Sequence, residues 1–310
     1  MYETSKPYKK QILNVIEKTW NSQYLKITRG IYPIFERKFN YTEVDHTDGI
    51  GTKAAYHWRE KTYKNAVLDA LAMNLNDLAL VKAYPYKLQN HIVLPEDNHE
   101  IILFIIETLA KECLKRKIVI TGGETSVHNF SKSFDISMTV SGFIKHPQLN
   151  AIHDGDVLIG IKSGGLHSNG FTKVRKVFGN EFRKEFVEPT KIYLDEVLNI
   201  CETYPVHGMM HLTGGAFTKL QDVSKDTDLI IDGLRKPQNI FYELYSRGIS
   251  DKEMYRTFNC GVGFVLSVPS NVVENVIKNI DGSYVIGKAV KGTGNIDIHS
   301  TFSKQIIRIS

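Results

Sequence analysis

The sequence predicts an α+β chain of two mixed α/β domains, residues 1–147 and 148–310. Three observations carry this. The 310 residues amount to about two domains of ordinary size. Strand-like and helix-like segments alternate through both halves, as mixed layers require. Between the halves, residues 145–150 (KHPQLN) break both the strand and the helix periodicity.

The elements follow in order. Residues 41–47 include β-branched and aromatic residues, read as a strand, and run into Asp48-Gly-Ile-Gly-Thr-Lys53. Residues 64–80 read as a helix with Val67, Leu68, Leu71, Leu75 and Leu78 on one face. Asn98 is a good N-cap for a second helix that buries Ile101, Ile102, Ile105, Leu109 and Cys113. An apolar strand, 118–120, then leads to Thr121-Gly-Gly-Glu-Thr125, and another spans 136–144. The second half opens with a strand at 156–161, the run 163–170 (SGGLHSNG) and a helix. A further helix is expected from Thr190, after Pro189, followed by an apolar stretch at 206–212 and Thr213-Gly-Gly215 opening a helix. Strands at 262–268, 284–290 and 305–309 flank a helix at 271–279.

Composition removes several classes. Hydrophobic residues are 42% and charged residues 24%, both ordinary for a globular chain, and 23 Gly with 9 Pro exclude collagen-like and low-complexity sequences. The most apolar stretch, 101–110, contains Glu107 and is half the roughly 20 residues a bilayer needs, so no membrane association is expected. The net charge is +5, but its cations are spread along the chain. That argues against nucleic acid and suits a small phosphorylated substrate. Cys113, Cys201 and Cys260 are far apart, which fits a reducing compartment, and residues 1–7 show no secretory core. A cytoplasmic location is the expectation.

No P-loop, complete dinucleotide fingerprint or zinc-protease motif is present, and Leu166 breaks a nucleophile-elbow spacing around Ser168. What remains is a set of glycine-containing junctions, where backbone N–H groups can approach an anion closely. On the helix at 64–80, Asp69 and Asn76 project along nearly the same line, opposite the leucines, with Asp77 one step round. Asn74, Asn76 and Asp77 are poor helix-interior residues, and hard oxygen ligands suit Mg²⁺. With Asp48 and Glu124 the set could hold a metal–triphosphate; a polar surface with one N-cap is the competing reading.

The runs DGIGTK (48–53), LDALAMNLNDL (68–78), GGET (122–125), SGGLHSNGFTKVRKV (163–177), EPTKIY (188–193), HLTGGAF (211–217) and MYRTFNCGVGF (254–264) resemble the phosphoribosylformylglycinamidine cyclo-ligases, or aminoimidazole ribonucleotide synthetases. The resemblance runs in order from about residue 41 to the C-terminus. Related families fit less well. A selenophosphate synthetase would carry a reactive Cys near its start, and a hydrogenase-maturation relative a Cys tail. Thiamine-phosphate kinases lack the second-half runs, and formylglycinamide amidotransferases are far longer.

The resemblance implies an N-terminal domain that builds a dimer sheet or barrel and a ferredoxin-like, layered C-terminal domain. It implies a homodimer that converts ATP and formylglycinamidine ribonucleotide to aminoimidazole ribonucleotide, ADP and phosphate in purine biosynthesis. ATP and Mg²⁺ are the implied cofactors, with a monovalent cation a further candidate. By matching position, Asp48, Gly49, Gly51, Thr52, Lys53, Asp69, Asn76, Asp77, Gly122, Gly123, Glu124 and Thr125 would bind the nucleotide. Asp48, Asp77 and Glu124 would hold the metal, and Lys53 would lie near the phosphates. Gly164, Ser168, Asn169, Thr213, Gly214, Gly215, Arg256 and Asn259 would line the substrate side. Lys53, His167 and His211 are the catalytic candidates, the two histidines for proton transfer.

One departure matters. The family's glycine-rich nucleotide cover corresponds here to residues 29–38, which contain a single glycine. A side-chain clamp by Arg29, Arg37 or Lys38 is the favoured substitute, with weaker nucleotide binding as the other outcome. A catalytically impaired or regulatory nucleotide-binding paralogue is the alternative to an active enzyme.

Overall fold

The computed structural model describes residues 8–30 and 32–310; residues 1–7, on which the expectation about a secretory core rests, and Ile31 lie outside it. The chain forms two compact units, one of residues up to Leu78 with Ala83–Pro147, the other of Ala79–Lys82 with Gln148–Ser310.

The first unit contains α1 (Lys9–Glu17), β1 (Leu25–Thr28), β2 (Ile34–Arg37), β3 (Thr42–Gly49), α2 (Ala54–Arg59), α3 (Tyr63–Ala79), β4 (Ala83–Leu94), α4 (His99–Lys115), β5 (Val119–Val127) and β6 (Asp135–Ile144). Its main sheet has the order β3-β6-β4-β5, antiparallel except for the β4–β5 pair that α4 connects. Asn98 caps α4 as expected, its side chain accepting from the Ile101 N–H at 3.1 Å. The same helix buries Ile102, Ile105, Leu109 and Cys113, each apolar side chain contributing about 1.5–3 kcal/mol.

Of residues 29–38, Ile34–Arg37 form β2, which pairs antiparallel with β1; this hairpin packs through Leu25 and Ile27 on Tyr86, Val119 and Phe143. The three cations of residues 29–38 are already engaged: Arg29 pairs with Glu17, Arg37 with Glu43, and Lys38 Nζ donates to the Ser22 carbonyl at 3.1 Å. In the single chain, acidic and carbonyl groups beside the hairpin thus take the charge of these three cations locally.

The second unit contains β7 (Val157–Lys162), α5 (Phe171–Phe178), α6 (Leu194–Thr203), β8 (Gly208–His211), β9 (Thr227–Ile231), α7 (Asn239–Ser246), α8 (Asp251–Thr257), β10 (Val262–Val268), α9 (Val273–Asn279), β11 (Ser283–Lys291), β12 (Ile296–His299) and β13 (Ile306–Ile309). They form a seven-stranded sheet of order β13-β12-β9-β11-β7-β10-β8. Every residue of β10 (VGFVLSV) is buried, the continuous apolar reading of a strand covered on both faces. α6 begins at Leu194 rather than Thr190, and the helix after Gly215 is a 3₁₀ segment, Ala216–Asp222. Among the described residues, no helix is long and apolar enough to cross a membrane.

Candidate functional site

In the first unit, β3 delivers Asp48 to the turn that starts the Gly51–Lys53 3₁₀ segment, and the Gly49 N–H donates to Asp48 Oδ1 at 2.7 Å. Two residues earlier on the same strand, His46 lies beside α3, with Nδ1 3.2 Å from Asn74 Oδ1 and Nε2 3.4 Å from Asp77 Oδ2. The Asn74 amide nitrogen donates to the carbonyls of Asp48 and Ala70 at 3.1 and 2.8 Å, which turns its oxygen toward His46. The hydrogen bond to Asp77 raises the His46 pKa against the opposing effect of burial. The Asp48 backbone carbonyl and the Asp77 carboxylate thus join one network, and both side chains are half-buried carboxylates, hard oxygen donors of the kind that suits Mg²⁺.

Three other expected nucleotide residues sit differently. Lys53 and Asp69 are both fully buried, with Lys53 Nζ 3.0 and 2.8 Å from the two Asp69 oxygens. His57, also fully buried, places Nε2 2.8 Å from Asp69 Oδ2 and Nδ1 2.7 Å from the Thr62 hydroxyl. A carboxylate only accepts, so His57 Nε2–H donates to Asp69 and Nδ1 accepts from Thr62. Burial alone would raise the Asp69 pKa, but Lys53 and His57 outweigh it and hold the carboxyl well below its usual range. Burial lowers the His57 pKa against the pull of Asp69. Lys53 and Asp69 therefore form an internal ion pair, and neither presents its charge to a phosphate in this structure. Asn76 is fully buried as well.

Glu124 is exposed on the edge strand β5, accepting from the Thr125 N–H at 2.9 Å. Register runs from Glu124 to His91, Ser137 and Gly49 across the sheet, three steps or about 14 Å from β3. Magnesium holds oxygens at about 2.1 Å, so a single ion on Asp48 and Asp77 would not reach Glu124 of the same chain. Gly122, Gly123, Glu124 and Thr125 lie inside β5 rather than in a turn. A Cβ on Gly123 would come within 2.6 Å of the Asn90 carbonyl, so glycine here permits close strand approach. Gly51 does take the positive φ (+54°) expected of a junction, and Thr52 beside it is exposed.

In the second unit, four segments distant in sequence meet where β7 and β8 end and β10 begins. Register brings Lys162 opposite Val262 and Phe264 opposite His211. The loop 163–170 is tied down on several sides. Ser168 Oγ lies 3.0 Å from Thr190 Oγ1, Asn169 donates to Thr213 Oγ1, and buried Asn259 donates to the Gly165 carbonyl at 2.8 Å. Asn259 also accepts from the Gly261 N–H at 2.9 Å, so it acts as a clamp between two loops. Gly164 approaches the Pro189 carbonyl, and Gly214 the Asn169 amide oxygen. Gly215 adopts φ +83° before the 3₁₀ segment, while Arg256 is exposed on α8.

Under these loops His167 (1% exposed) and His211 (0%) place their rings 5.8 Å apart, with Tyr193 against both. The Tyr193 hydroxyl donates to the Lys162 carbonyl at 3.1 Å and lies 3.3 Å from His167 Nε2. Its one proton being committed, Tyr193 accepts from His167 Nε2–H, which leaves the imidazole lone pair on Nδ1. Burial pushes the Tyr193 pKa well above its ordinary value, so the phenol stays neutral. A Cβ on Gly263 would fall 1.9 Å from the Tyr193 oxygen and 2.6 Å from His167 Cε1; only glycine admits this packing.

His46, His57 and Tyr193 did not stand out in the sequence. The available signals were spacing: His46 is i−2 from Asp48 on a strand, and His57 is i+4 from Lys53 at a helix start. Tyr193 lay inside a recognised run without a role.

Patterns of known families match most of the chain. Residues 37–144 match the AIR synthase related protein N-terminal domain, and residues 153–299 the corresponding C-terminal domain. A phosphoribosylformylglycinamidine cyclo-ligase of Saccharolobus solfataricus is 32% identical over 275 residues, covering 85% of this chain and 83% of that protein. One from Clostridium botulinum (strain Langeland) is 34% identical over 276 residues, 82% of this chain and 83% of that protein. One from Methanococcus vannielii is 32% identical over 284 residues, 85% and 81% respectively. Among solved structures, the hydrogenase maturation protein HypE in complex with ATP superposes with a TM-score of 0.72 at 13% identity, covering 97% of this chain and 93% of that chain. A thiamine-monophosphate kinase from Stenotrophomonas maltophilia gives 0.68 at 17% identity, covering 94% and 97%. These structures share the fold of both halves. With both family domains in order and these identities along its length, the chain belongs to the AIR synthase related protein family, beside the phosphoribosylformylglycinamidine cyclo-ligases.

Proposed function

We propose that this chain is an ATP-dependent cyclo-ligase that closes formylglycinamidine ribonucleotide to aminoimidazole ribonucleotide in purine biosynthesis. The observation that carries the reading is the 32–34% identity to cyclo-ligases over 82–85% of the chain. The chemistry has two parts. An amide oxygen is a poor leaving group, so it first takes the γ-phosphoryl of ATP, releasing ADP. The amidine nitrogen then attacks the activated carbon, phosphate leaves, and a proton is lost.

Magnesium, when bound, would neutralise charge on the triphosphate, and Asp48 with Asp77 are the carboxylates suited to hold it. Backbone N–H groups around Gly49, Gly51 and Thr52 would meet the phosphates, and the Lys53–Asp69–His57 cluster fixes the turn that presents them. The tied loop 163–170 with Thr213–Gly215 would hold the ribonucleotide, and Arg256 offers a cation for its phosphate. His167 is the proton acceptor, its lone pair directed to Nδ1 by Tyr193, while His211 packs beside it. Activity is checked by incubating pure protein with ATP, Mg²⁺ and formylglycinamidine ribonucleotide. Aminoimidazole product should rise in proportion to enzyme. Nucleotide binding with no product at any enzyme concentration would instead identify a non-catalytic paralogue.

A homodimer in the cytoplasm belongs to the same proposal. None of the residues of the edge strand β3 from Thr42 to Gly49 is buried in the single chain, three being exposed and five half-buried, leaving a surface for a second copy. Light scattering should give about 70 kDa, twice the 35.2 kDa chain mass. A mass of one chain at micromolar concentration would contradict it.

A further inference from the structure

The strands that carry the loop 163–170 at one end carry a different cluster at the other. His153 and Asp156 precede β7, His207 precedes β8, and Ser267 lies near the end of β10. One ligand atom from each of His153, Asp156 and His207 falls within 4.8 Å of the others, the one such group among the described residues. Six residues of β7 separate it from the loop, about 20 Å at strand rise.

We propose that His153, Asp156 and His207 bind one zinc ion, at a site separate from the cyclo-ligase chemistry. Asp156 is 3% exposed, and among the described residues no Lys or Arg pairs with it. Its carboxylate accepts from the His153 backbone N–H at 3.1 Å, from the Ser267 hydroxyl, and from His207 Nδ1 at 2.9 and 3.0 Å. A buried carboxylate without a permanent cation is a favourable place for a metal charge. Beside it the His153 and His207 rings lie 4.4 Å apart and tilted by 33°. No hydrogen bond among the described residues engages the His153 ring, and that side chain is exposed.

The donor set selects the metal class. Two imidazoles and one carboxylate suit zinc and disfavour Mg²⁺ or Ca²⁺, which prefer all-oxygen shells. Tetrahedral zinc at about 2.0–2.1 Å from each ligand sets those atoms about 3.3 Å apart. His207 Nδ1 and the Asp156 oxygens, 2.9 and 3.0 Å apart, need open by only a few tenths of an ångström, and turning the exposed His153 ring brings in the third. Water takes the fourth position. Binding replaces the proton between His207 Nδ1 and Asp156, which leaves to solvent.

The ligand positions are built into the fold. The Asp156 N–H returns to the His153 carbonyl at 3.1 Å, a turn completed by Gly155 at φ +84°, and the His207 N–H bonds the Ser267 carbonyl at 2.9 Å. Such fixed backbones favour a pre-organised site.

The test uses tag-free, chelator-treated full-length protein and Zn²⁺ alone, read by equilibrium dialysis and thermal melting, with no activity measurement. We expect one zinc per chain at micromolar or tighter affinity, undiminished by millimolar Mg²⁺, and a melting temperature raised by zinc. Co²⁺ in its place should give the intense visible bands of four-coordinate geometry. His153→Ala alters an exposed side chain, so its metal-free melting temperature should match the parent, while zinc affinity falls about tenfold or more. His207→Gln should weaken zinc in the same direction. No stoichiometric zinc, or equal zinc affinity in both variants and the parent, would overturn the proposal.

Discussion

Asp69→Asn should destabilise the first unit by about 3–5 kcal/mol, because it strands the buried Lys53 ammonium without its counter-charge. The replacement is isosteric, so no cavity contributes, and both Lys53 and His57 would face a neutral amide. Urea unfolding gives the number directly. Lys53→Met combined with Asp69→Leu should recover most of the loss, since paired removal of buried charges by apolar side chains is often near neutral. A single-variant loss below about 1 kcal/mol would mean that the pair is hydrated in solution. The pH dependence has a defined sign. His57 has its pKa lowered by burial, so its contribution is complete above its ordinary value of 6.5 and is lost as pH falls below it. His46 acts oppositely: its raised pKa gives stability below 6.5 that is lost as pH rises through the folded value. Subtracting the stability curve of His57→Gln from that of the parent isolates the first effect, which should grow from pH 5 to pH 6.5.

This cluster also shows where sequence reading stops. The periodicity of α3 separated a leucine face from Asp69 and Asn76, but Asp69 and Asn76 are as fully buried as Leu75. Pattern alone cannot tell a polar face that meets water or a ligand from one that meets Lys53 and His57 inside the unit. β4 escaped for a related reason. AYPYKLQNHIVL carries Pro85 and a polar run, yet it lies centrally between β6 and β5, where ladder hydrogen bonds and neighbouring side chains outweigh local propensity. GGET was read as a junction because glycine pairs usually mark turns; here Gly123 lets β5 approach Asn90 within a parallel ladder. By contrast, the Asn98 cap, the α4 apolar stripe and the strand at 262–268 were legible, since each is set by local hydrogen bonding or a continuous apolar run. In the second unit the recognised loops do converge, but the role of Asn259 as a clamp between Gly165 and Gly261 required the three-dimensional neighbours.

His167→Asn should lower kcat by about 10²-fold or more while KM changes less than about threefold, the pattern for loss of a proton acceptor. Asparagine suits the test because His167 sits at φ +62°, a left-handed conformation that Asn tolerates and most residues do not. The melting temperature should therefore stay within a few degrees of the parent. Tyr193→Phe separates positioning from chemistry. It removes the oxygen that holds the His167 proton on Nε2 while leaving the ring packed against Phe264 and His211. The imidazole then samples both tautomers, so kcat should fall by a smaller factor, about tenfold. His211→Asn, which leaves the His167–Tyr193 bond in place, should cost less turnover than His167→Asn. Equal kcat in His167→Asn and the parent, with both folded, would remove His167 from the proton-transfer role and make it a packing residue beneath the loop 163–170.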